Sequence, residues 1–522
     1  MKKIYALLVI CILTIDSNAQ TIPTWSENIA CILYTRCTSC HNPSGIAPFS
    51  LVDYANASGA AAGIYDAVIN NRMPPWPPDP TYRSFAHEKN LTPQEKQLII
   101  DWVSNGTPLG NPGNAPVPPV YTNAEVIQNP DLTLRMPVYT IPPITADLYR
   151  CFAIPSNTTI DQFITGVEVV PGNRQVVHHV LVFQDTANTT LLLDSLDPAP
   201  GYNGFGGVGS NSAKLVGIWV PGAEPVFQPL GMGLSIPAGS TIIFQVHYPV
   251  GSSFQQDSTK VNFEMTPVPT TREVTVAPIL NHGAQLTNGP LFIPADSTRT
   301  FYSQLTTPFN LTLLSVAPHM HLIGRSIKSW AVTLLNDTIP FIDIPAWNFM
   351  WQGNYQFRQP LRIPALSSFH GEAFYDNTVN NPLNPSIPPQ DVSQGEATTD
   401  EMMLIYFYFL TYQPGDENII IDTSTVINTY NNCNFVTDVA EVRKELSVNF
   451  YPNPASGKVI VDLPPGGVDD IRMVDMSGRL VWRKDKITED FELTLEGYKN
   501  GLYELLFLKE GVLSRKSLLI AQ

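Results

Sequence analysis

Five histidines at three separated places constrain the fold of this chain of 522 residues more than any other feature. They are the pair His178 and His179, the single His247, and the pair His319 and His321. Residues i and i+2 of a strand point to the same face, so the third group can bring two imidazoles to one ion. The adjacent pair would point to opposite faces of a regular strand, so we expect a bulge or a strong twist there. This order predicts two metal sites that long-range strand pairing must assemble.

The residue types favour copper at both sites. The first three histidines would form a site of three imidazoles, while His319 and His321 would share an ion with the thioether of Met402, at the start of another predicted strand. A thioether suits copper and is an unusual ligand for zinc. Zinc remains the alternative. We interpret His282 and His370, which have no histidine neighbour, as ordinary core residues.

The composition predicts a multidomain, mainly β protein. Proline (47) and glycine (33) are frequent and charged residues make up only 15%, a mix that is typical of short strands separated by turns. The net charge of −16 argues against nucleic acid as a partner. We predict a signal peptide at 1–20, a small helical domain at 21–110, a linker at 111–119, β-sandwiches at 120–268 and 269–437, and a final β-sandwich at 444–522.

The first 20 residues have the pattern of a secretory signal. Two basic residues, Lys2 and Lys3, precede a short apolar stretch, and Ser17-Asn18-Ala19 provides a small-residue cleavage site. The apolar stretch is too short for a stable membrane span. We therefore expect export into an oxidising compartment, where a disulfide can form. We predict that Cys151 pairs with Cys433 and that Cys31 is a buried thiol, although other pairings stay open.

The segment Cys37-Thr38-Ser39-Cys40-His41 has the spacing of a covalent haem attachment site. Two thiols in this spacing bond to the haem vinyl groups, and the histidine that follows supplies an axial ligand. We predict Met73 as the second axial ligand, with His87 as the alternative. Residues 21–110 resemble small c-type cytochromes. A thioredoxin-like redox pair or a zinc site is the competing interpretation of the motif.

The order His-His, His, His-x-His and Asp400-Glu401-Met402 over residues 120–437 resembles the copper type II ascorbate-dependent monooxygenases. That family includes peptidylglycine α-hydroxylating monooxygenase and dopamine β-monooxygenase. The resemblance implies two jelly-roll-like sandwiches that face each other across a water-filled cleft. It also implies an electron-transfer copper at the first site, and a catalytic copper at His319, His321 and Met402 that uses O₂ to hydroxylate a substrate C–H. The implied electron donor is ascorbate-like or a redox protein, and the attached haem is the expected relay.

Two positions depart from the peptide-amidating members of that family. Ala317 stands where they have an arginine that holds the peptide carboxylate, and Leu404 stands where they have an asparagine, whereas Tyr406 keeps a matching tyrosine. Without the arginine, a peptide that ends in glycine is not the expected substrate. The organic substrate is left open. The competing hypotheses are a non-catalytic surface protein for electron transfer or copper binding, and an adhesin or carbohydrate-binding protein.

The last 80 residues resemble the C-terminal sorting domain of the type IX secretion system. The resemblance depends on Tyr451-Pro452-Asn453-Pro454, Asp475-Met476-Ser477-Gly478-Arg479 and Asn500-Gly501-Leu502-Tyr503, with Lys516 near the end. It implies an immunoglobulin-like sandwich, recognition by the outer-membrane secretion machinery, and a secreted or cell-surface location. An ordinary β-sandwich binding domain is the alternative.

Overall fold

The protein is described by a computed structural model that covers residues 22–119, 125–421 and 448–521, apart from positions 44, 46, 128, 188, 205, 206, 270, 476–479, 510 and 511. It is mainly β, with 40% strand and 12% helix. The predicted signal peptide and Cys433 lie outside the described residues. Among the residues described, no helix combines the length and the apolar character needed to cross a membrane.

The chain divides into two compact units. Of the described residues, the first comprises 22–75 and 89–119, and the second comprises 76–88, 125–421 and 448–521. The described part of the first unit is helical: a π-helical turn Trp25–Ile29, α1 Ala30–Arg36, α2 Tyr54–Gly59, α3 Ala61–Ile69, α4 Pro93–Ser104 and a 3₁₀ turn Pro112–Asn114.

Local sequence signals explain where these helices begin and end. The hydroxyl of Thr92 accepts the backbone N–H of Glu95 while the Glu95 carboxylate accepts that of Thr92, and Pro93 opens α4. Such a reciprocal cap is a feature that the sequence alone predicts. Residues 54–69 form two helices, α2 and α3, because the chain departs from helical geometry at Ala60. Buried Trp25, Tyr34 and Trp102 form the aromatic part of the core.

In the second unit, residues 132–273 contain thirteen strands and one helix. They are β1 Leu132–Arg135, β2 Tyr139–Thr140, β3 Leu148–Pro155, β4 Gln162–Val170, β5 His179–Asp185, α5 Thr189–Leu196, β6 Tyr202–Asn203, β7 Lys214–Trp219, β8 Val226–Phe227, β9 Met232–Ile236, β10 Thr241–Tyr248, β11 Gln256–Asp257, β12 Lys260–Thr266 and β13 Arg272–Glu273. One sheet has the order β1-β12-β4-β9-β13, with β8 beside β4. A second has the order β6-β3-β10-β5-β7, and β11 pairs with β2. Apolar side chains from both larger sheets share one core, as in a β-sandwich.

Ten further strands form the next group of sheets. They are β14 Thr275–Asn281, β15 Phe292–Ile293, β16 Thr298–Thr306, β17 Leu311–His319, β18 Gly324–Val332, β19 Thr338–Ile344, β20 Tyr355–Ile363, β21 Ser368–Asp376, β22 Val392–Ser393 and β23 Leu404–Thr411, followed by a 3₁₀ turn Asp416–Asn418. The larger sheets have the orders β14-β23-β17-β20 and β16-β21-β18-β19, and β15 pairs with β22. Leu314 on β17 and Tyr408 on β23 belong to the core of the preceding group. Apolar packing therefore joins the two groups of sheets.

The segment Trp76–Glu88 packs on these later sheets. Phe85 is only 1% exposed and its ring stacks on Phe357, with centroids 5.8 Å apart. The backbone N–H of Ala86 donates to the carbonyl of Gln356 at 2.8 Å. The sequence predicts this segment as part of the helical domain at 21–110, whereas the structure places it in the second unit.

The C-terminal strands form their own sandwich. They are β24 Asn449–Ser456, β25 Lys458–Asp462, β26 Val468–Asp475, β27 Leu480–Ile487, β28 Phe491–Thr494, β29 Gly501–Lys509 and β30 Val512–Ile520. Their order is β27-β26-β29-β30-β24-β25-β28. A separate apolar core includes Val459, Ile471, Leu505 and Phe507. The module predicted at 444–522 is thus an all-β unit with its own core.

The predicted pairing of Cys151 with Cys433 is wrong. Cys151 is a free, fully buried thiol, and it packs among Tyr202, Val208 and Ile243. Gly204 lies so close to its sulfur that an added Cβ atom there would be only 2.3 Å away. The thiol is therefore closed to a second cysteine. Cys31, which the sequence predicts as a free thiol, is in a disulfide whose partner lies outside the described residues.

Candidate metal centres

Strand pairing brings the first three histidines together. His179 is the first residue of β5 and lies opposite His247 on β10. His178 lies just before β5, and its backbone N–H donates to the His247 carbonyl at 2.9 Å. No register shift occurs at this point of the β5–β10 ladder. Of the two predicted alternatives, a bulge is therefore absent from this ladder, and the adjacent rings converge where His178 lies just before the first residue of β5.

The three Nδ1 atoms form a nearly equilateral triangle. The Nδ1 atom of His178 lies 3.1 Å from that of His179 and 3.1 Å from that of His247, and the remaining side is 3.3 Å. Each Nδ1 carries either a proton or a lone pair, so at least one of the three pairs must consist of like groups. The three Nδ1 atoms therefore cannot all be hydrogen-bonded to one another at these distances. Two ligands bonded to one ion at about 2.0 Å with a tetrahedral angle are about 3.3 Å apart, so the triangle fits one metal ion.

The Nε2 atoms of His178 and His247 have partners of their own, and these partners are compatible with Nδ1 atoms that face a metal ion. The Nε2 atom of His247 lies 3.2 Å from a carboxylate oxygen of Asp147, off the line of a straight hydrogen bond. Interaction with this ring lowers the pKa of the Asp147 carboxyl. The Nε2 atom of His178 lies 3.2 Å from the sulfur of Met350, and the Tyr149 ring stacks on His247 at 4.4 Å. A proton on each Nε2 leaves the Nδ1 lone pair for a metal, and outer partners of this kind fix the tautomer.

Burial keeps the imidazoles of His178 and His179 neutral. Desolvation lowers the pKa of His178 to about 4, and it lowers the pKa of His179 well below the usual 6.5. The imidazoles of His319 and His321 also contribute electrostatically to the low pKa of His179. Neutral imidazole is the form that binds metals.

The second pair of histidines has the opposite tautomer. His319 ends β17, and its Nδ1 atom lies 2.5 Å from the side-chain oxygen of Gln352. The Nδ1 atom of His321 lies 3.0 Å from the carbonyl oxygen of Asp400. Both acceptors can only take a proton, so each Nδ1 is protonated and each Nε2 carries the lone pair. The ring centroids are 5.0 Å apart. Burial lowers the pKa of His319 to about 3 and that of His321 to about 4.

Backbone and carboxylate contacts bring the segment with Met402 to these rings. The buried Glu401 carboxylate accepts the backbone N–H groups of His321 and Ile323 at 2.9 and 2.8 Å. The β17–β23 ladder ends where His319 pairs with Leu404, and the backbone N–H of Met402 donates to the same Glu401 carboxylate at 3.2 Å. Met402 is 7% exposed. These contacts favour a site of two imidazoles and one thioether.

Phe349 lies between the two groups of histidines. Its ring centroid is 5.6 Å from that of His178 and 6.0 Å from that of His321. The side chain is 7% exposed. An aromatic ring therefore contacts a histidine of each candidate site, and the water-filled cleft that the resemblance implies stays a prediction.

The candidate haem motif occupies one helical turn. The backbone N–H of His41 donates to the carbonyl of Cys37 at 2.9 Å, so both side chains lie on one side of the turn. The Nδ1 atom of His41 lies 3.1 Å from the carbonyl oxygen of Phe49, which leaves Nε2 as the available ligand. Cys37 and Cys40 are free and partly exposed. These groups fit a covalently bound haem.

The second predicted axial ligand, its alternative and the two histidines predicted as core residues have separate surroundings. Met73 is 37% exposed on the loop after α3, and its axial role stays a prediction. His87 belongs to the second unit, where its Nδ1 atom lies 3.4 Å from Glu224. The Nδ1 atom of His282 accepts the backbone N–H of Met403 at 3.0 Å, and its charge would lower the pKa of both His319 and His321. His370 stacks on Trp330 at 5.4 Å.

Sequence reasoning missed Asp147, Phe349, Met350 and Gln352. None of them lies in a motif with the histidine that it contacts. Asp147 is 100 residues before His247, and Gln352 is 33 residues after His319. Only the tertiary fold brings them together.

Comparison with known proteins identifies the C-terminal module. Residues 449–521 match the family described as the secretion system C-terminal sorting domain. The chain is exported. It is displayed at the cell surface or secreted, and the sorting domain implies interaction with the type IX secretion machinery. This match confirms the prediction made from the motifs after residue 450.

Other comparisons give no family for the rest of the chain. No curated protein matches it. A Faecalibacterium prausnitzii beta-glucuronidase is similar at 12% identity and a TM-score of 0.13, over 49% of this chain and 42% of the glucuronidase. The BSP domain of a biofilm associated protein is similar at 9% identity and a TM-score of 0.13, over 75% of this chain and 81% of the other. The alignment thus spans less than half of the glucuronidase.

Proposed function

We propose that this exported protein is a copper-dependent monooxygenase that hydroxylates a substrate C–H with O₂. The observation that carries the proposal is the triangle of Nδ1 atoms of His178, His179 and His247, with sides of 3.1 to 3.3 Å. A second pair of neutral imidazoles, close enough to act on His179 electrostatically, supports a binuclear arrangement.

The two groups of residues would hold different copper ions. His178, His179 and His247 offer three Nδ1 lone pairs, and His319 and His321 offer two Nε2 lone pairs beside Met402. Copper bound there would supply one-electron redox chemistry and O₂ activation. Because the second group includes a soft thioether, it favours the reduced ion. We therefore assign the catalytic role to His319, His321 and Met402.

Residues around His319 and His321 hold these two rings in a metal-binding form even when no metal is bound. Gln352 and the Asp400 carbonyl each accept the Nδ1 proton of a histidine and so hold that ring in one tautomer. Burial keeps the rings neutral, so that a metal does not have to displace a proton at neutral pH. The residues thus reduce the reorganisation that metal binding requires.

The helical unit would supply electrons. Cys37, Cys40 and His41 would hold a covalent haem, with Met73 as the proposed second axial ligand. Each hydroxylation consumes two electrons in addition to those taken from the C–H bond. A haem on the same chain has a high effective concentration near the other redox groups. An ascorbate-like molecule or a redox protein would then reduce the haem.

The proposed substrate is not a peptide that ends in glycine. Ala317 lies opposite Tyr406 in the β17–β23 ladder, close to where β17 ends at His319. An alanine there offers no cation to pair with a carboxylate. We propose a substrate that needs no arginine at this position.

Metal counting and product analysis test the function. The full chain would be matured with haem, loaded with copper, and mixed with ascorbate and a panel of organic substrates under O₂. We expect two coppers per haem, one fewer in His319→Ala, and O₂ uptake coupled to a hydroxylated product in the wild type alone. Bound copper without product would leave a non-catalytic copper or electron-transfer protein, and preference for zinc over copper would reject the redox role.

A further inference from the structure

One turn of the chain contacts histidines of both candidate metal sites. This turn, residues 347–352, connects β19 to β20, and we call it the bridging turn. Trp347 donates its indole N–H to the carbonyl of His321 at 3.2 Å. Gln352 accepts from His319, and Met350 lies beside His178. Three of the five histidines are therefore held by six consecutive residues.

The bridging turn is fixed by its own hydrogen bonds. The side chain of Asn348 accepts the backbone N–H of Met350 at 3.0 Å, and its carbonyl accepts that of Trp351 at 2.9 Å. The side-chain amide of Gln352 donates to the carbonyl of Phe349 at 2.7 Å. At its start, the N–H of Trp347 donates to the carbonyl of Arg325 at 2.8 Å. These hydrogen bonds connect Trp347, Asn348, Phe349 and Gln352 into one hydrogen-bonded segment.

Phe349 is the central contact of the turn. Its ring lies nearly parallel to His178, at 22°, and nearly perpendicular to His321, at 86°. Because the rings are closely packed, one of them can rotate only if the neighbouring ring shifts with it. A change in the orientation of the His178 ring therefore presses on Phe349, and through it on His321.

We propose that Phe349 and the bridging turn couple the two metal sites, so that filling one site raises the metal affinity of the other. This inference rests on the proposed function, since it takes the two groups of histidines as metal sites. Phe349, Met350 and Gln352 are positioning residues, because they act through the histidines that they contact. The coupling is reciprocal by thermodynamic linkage.

The chemistry on each side of the turn explains the direction of the coupling. In the empty first site, the three Nδ1 atoms cannot all be satisfied at once, so at least one ring gains by rotating away. A metal removes this conflict and holds His178 in the orientation that packs on Phe349. The turn then keeps Gln352 in place, and Gln352 keeps the Nε2 atom of His319 free for the second ion.

Cu(I) titration of the full chain tests the coupling without any measurement of turnover. The second site would be titrated against a chromophoric Cu(I) chelator in the wild-type chain with the first site filled, and in His247→Ala, where it is disabled. We expect the second site to bind roughly 5- to 10-fold more weakly in His247→Ala. In the background of Phe349→Leu, the same comparison should give less than about a 2-fold difference.

Two further variants separate coupling from damage to the fold. Met350→Leu alters an exposed side chain and removes only the sulfur contact with His178, so it should reduce the coupling partly and leave thermal unfolding unchanged. Phe309→Leu is the matched control, because Phe309 is 66% exposed and lies outside the turn. This control should keep the wild-type coupling in full.

The outcomes distinguish this proposal from the proposed function. Equal affinity of the second site in the wild type and in His247→Ala would overturn the coupling, even if the enzyme hydroxylates a substrate. Coupled sites in a chain that never turns over would support the coupling and reject only catalysis. Absence of copper at both sites would overturn both proposals.

Discussion

Both candidate metal sites bring histidine side chains together, but different structural elements position those side chains. Regular strand pairing between β5 and β10 sets His179 opposite His247, and a strand end adds His178. The second site depends instead on segments outside the strands, because Gln352 in a turn and Asp400 before β23 orient its histidines. The first site uses Nδ1 atoms and the second uses Nε2 atoms. A site built from paired strands is fixed by backbone hydrogen bonds, whereas a site oriented by groups in turns depends on single contacts.

Removing a ligand from each site is expected to give the largest effect. His247→Ala should weaken copper binding at the first site, and His319→Ala at the second, by more than the roughly 100-fold that accompanies loss of an outer partner. Competition titrations with a copper chelator would measure both. The control is His370→Ala, since His370 stacks on Trp330. A histidine whose removal leaves the copper stoichiometry unchanged would not be a ligand.

Breaking an ion pair at the far end of β17 from His319 tests how far the fold that carries the second site depends on a single charged contact. Asp416 accepts hydrogen bonds from Arg272 and from Thr312 on β17, the strand that ends at His319. Removing one partner of a buried pair costs about 3 kcal/mol, so Asp416→Ala should lower the free energy of unfolding by about that amount. Denaturant titration would measure the change, with the exposed Asp337→Ala as the control.

The same ion pair predicts a pH dependence. Burial raises the pKa of Asp416, but hydrogen bonds from Arg272 and Thr312 outweigh it and hold the pKa below the usual 3.8. A carboxylate with a lowered pKa stabilises the fold above its usual pKa and loses that contribution as the pH falls further. The stability difference between wild type and Asp416→Ala should therefore be constant near neutral pH and shrink below about pH 4. A difference that is the same at pH 3 and pH 7 would reject the role of the charge.

Changing the outer partners sharpens the contrast between the sites. Asp147→Asn weakens the partner of His247, and Gln352→Leu removes the partner of His319. Each should lower copper affinity by roughly 10-fold, but only Gln352→Leu should change the tautomer of the empty site. Nitrogen NMR of the metal-free chain would report the protonated ring nitrogen. A His319 tautomer that persists in Gln352→Leu would show that the side chain does not select it.

The smallest effect is expected at Cys151. Burial raises the pKa of the thiols of both Cys37 and Cys151 to about 12, but Cys151 is inaccessible whereas Cys37 and Cys40 are partly exposed. In haem-free protein, a thiol reagent should therefore label Cys37 and Cys40 well before Cys151. Mass spectrometry of labelled peptides, with and without denaturant, would establish the order. Rapid labelling of Cys151 in the native chain would contradict the packing around it.

The sequence predicted the features that depend on neighbouring residues. The cap of α4 follows from Thr92 and Glu95, and the strands around His247 and His319 follow from their apolar content. The histidines stand out because the residue type is rare in this chain and four of the five occur in close pairs.

The partners of the histidines could not be predicted in the same way. Common polar residues such as Asp147 and Gln352 become partners only when distant segments meet. The disulfide prediction failed for the same reason, since the sequence does not reveal that Tyr202 and Gly204 lie against Cys151.

The course of Trp76–Glu88 has a consequence for dividing this protein into fragments. A fragment that ends at residue 110 would carry Phe85 away from the sheets on which it packs. The remaining sandwiches would then have a cavity beside Phe357. Loss of a buried phenylalanine lowers the free energy of unfolding by about 3–5 kcal/mol. Neither fragment would keep the packing that its residues have in the intact chain. Electron-transfer and metal-binding experiments on separated halves would therefore report on damaged proteins, so the intact chain is the smallest unit in which the parts can be compared.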